Sequence, residues 1–139
     1  MMPEPPALQP SRRTLLQIED NKANALLVEE LIARRSDLKL LTAGTGYQGI
    51  EMACLHQPDL ILMDICMAGL SGLETLAILH ENPATSHIPV IALSSDAFAH
   101  QIKKGLEAGF FRYLTKPFKI DEFMATIDVA LRDADGETI

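Results

Sequence analysis

The 139-residue sequence predicts an α/β domain: a five-stranded parallel sheet, doubly wound, with helices on both faces. Two observations carry this. Five short runs are apolar on both faces rather than at alternate positions, as expected of strands covered on both sides. The segments between those runs show the 3.6-residue spacing of amphipathic helices. Strand and helix therefore alternate five times, a (βα)5 pattern that builds a parallel sheet with crossover helices.

The opening stretch "MMPEPPALQPS" has four prolines in eleven residues and reads as a tail or linker over 1–11. The first strand is read at "TLLQI" (14–18). Asp20 and Asn21 follow, and either suits the cap of a helix. Leu27, Val28, Leu31 and Ile32 share one face of that helix. The second strand is "LKLLTA" (38–43), and Ile50, Ala53 and Cys54 mark the second helix. The third strand, "DLILM" (59–63), is entered through Pro58, where a missing N–H does little harm. Ser71 caps a third helix marked by Leu73, Leu76 and Ala77. "IPVIALS" (88–94), with Pro89 at its entry, is the fourth strand. Ile102 and Leu106 mark a short fourth helix that Gly109 ends. "FFRYLT" (110–115) is the fifth strand, and Phe123, Ile127, Ala130 and Leu131 mark the last helix. "DADGETI" reads as a frayed end, so the domain is expected over 12–133 with a tail over 134–139. There is no internal repeat.

Composition narrows the function classes. Hydrophobic residues make up 47% of the chain, enough for a core in a single domain. The net charge is −7, which argues against a nucleic-acid grip, because phosphate backbones are held by Lys and Arg. The cations are scattered apart from the pairs Arg12–Arg13, Arg34–Arg35 and Lys103–Lys104. Cys54 and Cys66 have no metal-ligand spacing and read as thiols of a reducing compartment. His56, His80, His87 and His100 form no metal spacing either and are expected at the surface. Met52, Met63, Met67 and Met124 read as core filler or loop contacts. With no secretory signal and no apolar run of the ~20 residues needed to span a bilayer, a cytoplasmic protein is expected.

Ligands in such sheets bind outside the carboxyl ends of the strands. One of the two common windings, the flavodoxin-like order 2-1-3-4-5, makes strands 1 and 3 neighbours at the switch point. Strand 1 ends in Glu19 and Asp20, strand 3 in Asp64 and strand 4 in Ser94. Strand 5 is followed by Lys116 and Pro117. Three crowded carboxylates repel, and either a proton or a cation must relieve them. An all-oxygen donor set completed by water suits Mg²⁺. A Lys and a Ser beside a hard cation are parts suited to holding a phosphoryl group, and a carboxylate can itself accept one.

The stretches "LLQIEDNKAN", "DLILMDICMAGLSG", "PVIALSSDA" and "AGFFRYLTKPF", in this order and spacing, resemble the receiver domains of two-component response regulators. The resemblance covers roughly residues 12–133 and is most like single-domain regulators and receivers attached to sensor kinases. It implies that Asp64 is the phosphoacceptor. Asp20 would bind Mg²⁺ directly, Glu19 more through water, and Cys66 by its backbone carbonyl. Ser94 would follow the phosphoryl group, and Lys116 would pair with a phosphoryl oxygen. Pro117 would follow a cis peptide bond, Tyr113 would be the aromatic switch, and Gly72 the turn glycine. The phosphodonor would be a sensor histidine kinase or a histidine phosphotransfer protein. A homodimer would use the face of the fourth helix, fifth strand and fifth helix. Such a domain is a signalling module that catalyses only its own phosphorylation and dephosphorylation. Neither nucleic acid nor membrane is expected as a partner.

The chain departs from the family at several points. Ala68 stands where Pro is usual, Glu19 where Asp is commoner, and Ser94 where Thr is commoner. Phe111 and Arg112 occupy positions where acidic residues are frequent.

Each residue has a plainer reading. Asp64 alone reads as a strand terminator, Ser94 as a loop hydroxyl, Lys116 as a solvated cation and Tyr113 as a core aromatic. Those readings leave unexplained why Asp20, Asp64, Ser94 and Lys116 all fall at the carboxyl ends of strands. An Asp-nucleophile phosphohydrolase is the enzyme alternative. It usually carries a second Asp two residues after the first, where this chain has Cys66. A degenerate receiver that only binds partners tends to lose an acid or the Lys, and this chain keeps both. No output segment is recognisable after residue 133, so the output is expected in a partner protein or in a longer chain.

Overall fold

A computed structural model describes residues 12–95 and 98–134. Its ten elements run β1 (Arg13–Ile18), α1 (Lys22–Ile32), β2 (Leu38–Ala43), α2 (Gly46–His56), β3 (Leu60–Asp64), α3 (Gly72–Glu81), β4 (Val90–Ser94), α4 (Ala99–Ala108), β5 (Arg112–Thr115) and α5 (Ile120–Ala134). The five strands are all parallel in the order β2-β1-β3-β4-β5. The fold is therefore flavodoxin-like, as the alternation predicts. No helix of the described residues is long and apolar enough to cross a membrane.

Strand alternation divides the core into two layers. Leu15, Leu60 and Leu62 face α1 and α5, and pack with Val28, Leu31, Phe123 and Ile127. Leu16, Ile18, Ile61 and Met63 face the opposite layer, with Ala53, Leu76, Leu79 and Phe110. β3 is buried at every position, as is expected of a central strand covered on both faces.

The caps follow the sequence. Ser71 caps α3 in a reciprocal capping box with Glu74. Thr45 accepts from the Gln48 N–H at the start of α2. Gly109 closes α4 at φ +115°, a left-handed conformation that glycine tolerates. At α1 the cap is Asn21, whose side chain accepts from the Asn24 N–H at 3.0 Å. Asp20 is thereby left out of the helix.

Several expectations need correction. Leu27, Cys54 and Ala77 are exposed, while Val28, Leu31, Ile32, Ala53 and Leu76 are buried as read. The edge of each buried face is blurred because Leu26, Leu27 and Leu55 are surface leucines. The fourth and fifth strands begin two residues later than read, at Val90 and Arg112. α5 continues through Asp133 and Ala134, into the stretch read as a frayed end. The expected tail over 1–11, and residues 135–139 of the tail expected over 134–139, lie outside the described residues.

Candidate functional site

The sheet register places the acidic residues. Ile18 pairs with Met63, so the next residue on each strand, Glu19 and Asp64, comes to the same level at the carboxyl edge. Both are largely buried, at 7% and 8% exposure. Asp20 is exposed, and its Oδ2 accepts a hydrogen bond from the Ala68 N–H at 3.0 Å. One carboxylate oxygen from each of Glu19, Asp20 and Asp64 lies within 4.8 Å of the other two.

The opposite wall comes from β4 and β5. Ser94 pairs with Thr115 at the end of both strands. The Lys116 N–H then donates to the Ser94 carbonyl at 2.7 Å. Ser94 is 1% exposed. From this anchored start, the Lys116 ammonium reaches 3.2 Å from Glu19 Oε1. The Lys116–Pro117 peptide bond is cis. Thus Glu19, Asp20, Asp64, Ser94 and Lys116 come together at one edge.

The β3–α3 loop closes the floor. The Cys66 N–H donates to Asp64 Oδ1 at 3.1 Å, and the Cys66 side chain is exposed. Gly72 opens α3 directly against β3. A Cβ there would lie 2.7 Å from the Ile65 Cα and 3.0 Å from the Asp64 carbonyl oxygen, so only hydrogen fits.

Tyr113 sits one step away from this centre. Its ring is half-buried against α4, where a Cβ on Gly105 would lie 2.9 Å from it. A cleft of about 150 Å³ is shared by Ser94, Tyr113, Cys66, Leu73, Gln101 and Gly105. Ser94 and Tyr113 therefore border the same space.

Electrostatics at the edge are unbalanced: among the described residues, three carboxylates face one ammonium. The Asp64 carboxyl is pushed up to about 7 by burial first, then by a hydrogen bond with Glu19 and by the Glu19 charge. Lys116 and the Cys66 N–H pull the other way and do not offset this. Without a cation, a proton on Asp64 is the relief available. The donor set is all carboxylate and fits a hard divalent cation such as Mg²⁺. An anchored, shielded carboxylate opposite a Lys and a hydroxyl is also chemically suited to accept a phosphoryl group.

Two features here were not read as parts of the site from the sequence. The Ala68 contribution comes from the backbone N–H, and its one sequence mark is that an alanine stands where Pro is usual. Gln17, 1% exposed in the middle of β1, donates to the Ala25 carbonyl at 3.0 Å and to Thr42 Oγ1 at 3.1 Å, and Thr42 Oγ1 in turn donates to Glu29 at 3.1 Å. That chain ties β1, β2 and α1 together below the acidic pair. A single amide inside an apolar run was its available signal.

Comparison with known proteins agrees with this geometry. Residues 15–128 match the response regulator receiver domain family. The chain is 34% identical over 122 residues to the polar-differentiation response regulator DivK of Brucella ovis, covering 88% of this chain and 98% of that protein. The receiver domain of a Francisella response regulator superposes with a TM-score of 0.80 at 26% identity, over 88% of this chain and 98% of the other. The receiver domain of a sensor histidine kinase from Pseudomonas aeruginosa, solved with a magnesium ion coordinated in its active-site cleft, gives 0.79 at 26% identity, over 87% and 98%. On the family match and the shared fold together, the chain belongs to the response regulator receiver domains of two-component signalling.

Proposed function

We propose that the domain accepts a phosphoryl group on Asp64 from a phosphohistidine of a sensor histidine kinase or a histidine phosphotransfer protein. An Asp64 carboxylate oxygen forms the new O–P bond as the N–P bond to the donor imidazole breaks. The electron pair returns to the ring nitrogen, which takes up a proton. Asp20, Asp64 and the Cys66 carbonyl would hold Mg²⁺, with Glu19 acting more through water, and the ion would supply positive charge for the transferred oxygens. Lys116 turns from Glu19 to a phosphoryl oxygen, and the Ser94 hydroxyl donates to another. The acyl phosphate is later hydrolysed by water.

The arrival of a dianion also carries the signal. As Ser94 and Lys116 are drawn to it, the space between Ser94 and Tyr113 changes and the ring shifts against α4. The affected surface is α4, β5 and α5, which serves partner binding or homodimerisation. A local charge event then biases a two-state element.

The observation that best supports this reading is the convergence of three carboxylates within 4.8 Å, with Lys116 reaching into the same edge. The test is phosphorylation with phosphoramidate or acetyl phosphate and Mg²⁺. One acid-stable, hydroxylamine-labile phosphoryl group is expected, and Asp64→Asn should abolish it. Undiminished labelling of that variant overturns the assignment.

A further inference from the structure

We propose that the outer side of α4, with the start of β5, docks an acidic amphipathic helix of a partner protein. The inference rests on the reading of α4 and β5 as part of the output face, and names the chemistry of what binds there.

Among the described helices, α4 is the least embedded. Gly105 is its one buried residue, whereas each of the other four helices buries three or more. Apolar residues nonetheless recur along its outer side. Phe98, Ile102 and Leu106 follow one another at intervals of four, and Phe98 and Leu106 are 71% and 45% exposed. Ala99, Ile102 and Leu106 border a shallow hollow along the helix, together with Lys103 and Glu107. An apolar stripe at helical spacing ordinarily faces a core. Here it faces outward, in the spacing by which one helix anchors another.

Charge selects the partner. The chain as a whole is at −7, yet residues 98–115 carry Lys103, Lys104 and Arg112 against Glu107 alone, a net +2. Lys103 and Glu107 approach only to 3.9 Å and both are well exposed, so the lysine is loosely held and can turn to a new carboxylate. Arg112 is exposed and fixed at the start of β5. Its guanidinium lies 4.6 Å over the Phe111 ring and donates to the Phe111 carbonyl at 3.0 Å, with further N–H donors left for an acid. A second copy of the chain fits less well. Its acidic helix α5 has turned Phe123, Ile127, Ala130 and Leu131 into its own core, and from residue 121 onward exposes Asp121, Glu122, Ala125, Arg132 and Asp133. That surface supplies acids without the apolar row the stripe needs. Nucleic acid has the same shortfall.

The probe is a labelled synthetic helix of about four turns, with leucines on one side and glutamates on the other. Its control keeps the leucines and replaces every glutamate by lysine. Binding to the full chain is read by fluorescence anisotropy and amide chemical shifts, with and without phosphodonor and Mg²⁺. In at least one of the two forms the glutamate helix should bind about tenfold tighter than the lysine helix and weaken with salt. It should move the amides of residues 98–107 and of Arg112. Lys103→Glu with Arg112→Glu should reverse the preference. Leu106→Asn, at an exposed position, should weaken the glutamate helix by about fivefold. Equal binding of the two helices, shifts mapping elsewhere, or binding by neither form overturns the inference. So does sedimentation of the protein with phosphatidylglycerol vesicles in place of helix binding. Selective binding that is the same in both forms leaves the docking surface standing and overturns its reading as the output of phosphorylation.

Discussion

The Lys116 ammonium lies 3.2 Å from Glu19 Oε1, across 97 residues of sequence, and is the positive charge set against three carboxylates. Its partner Glu19 is nearly buried, so removing the ammonium leaves a carboxylate with poor access to water. Lys116→Ala should lower metal-free stability by on the order of 2 kcal/mol. It should also slow phosphorylation and block the change at α4–β5–α5 where phosphorylation persists. Thermal melting with and without Mg²⁺ checks this: the variant should recover more of its loss with Mg²⁺ than wild type gains. An unchanged metal-free melting curve would show that the pair carries no weight.

The raised Asp64 carboxyl makes a pH prediction with a definite sign. Between its ordinary value of 3.8 and about 7, the folded protein holds a proton that the unfolded chain has released. The group's contribution to metal-free stability therefore falls as pH rises through that window, and is flat above it. Mg²⁺ must displace the same proton. Its apparent affinity should climb by up to about tenfold per pH unit up to about 7, then level off, with proton release seen as a buffer-dependent heat. A flat affinity between pH 5.5 and 7 would mean that no such proton is there.

Mg²⁺ should stabilise the fold by mass action. At a concentration a hundred times its dissociation constant, the gain is about 2.7 kcal/mol. Asp20→Ala should lose most of it while melting normally without metal, because the Asp20 side chain is exposed. Equal Mg²⁺ stabilisation of both proteins would remove Asp20 from the metal site.

Tyr113 should separate readout from chemistry. Tyr113→Ala should be phosphorylated within a few-fold of wild type but lose the phosphorylation-dependent chemical shifts across residues of about 98–133. Gly105→Ala approaches the same ring from α4, with its Cβ 2.9 Å away, and should displace it in the unphosphorylated protein. Spectra of the two variants, with and without phosphodonor, decide the matter. A full shift pattern in Tyr113→Ala would make the ring a core residue and nothing more.

How far the sequence was legible follows from what each signal is made of. β3 and Asp64 were readable because an uninterrupted apolar run ending on a charge has few physical meanings in a parallel sheet. Ser71 and Gly109 were readable because caps demand particular residue types. The buried faces of α1, α2 and α3 were less so: Leu27 looks like a core residue, yet it lies at the surface beside Pro117, Phe118 and Ile120 in a groove between α1 and the start of α5. Hydrophobicity gives the period of a helix more securely than its phase when leucines also occupy the outer face. The Arg35 guanidinium holds Asp37, two residues on, at 2.7 Å, and Asp128, 93 residues away, at 2.8 Å; the second contact gives no local signal.

The 97-residue separation of Glu19 and Lys116 also has a consequence for biosynthesis. β5 is the last strand to leave the ribosome and pairs only with β4, so a nascent or truncated chain can have every acidic residue of the site and still lack its cation. A chain stopped before β5 would hold the acidic residues without the ammonium set against them. Whatever chemistry draws on that charge therefore waits on the edge strand.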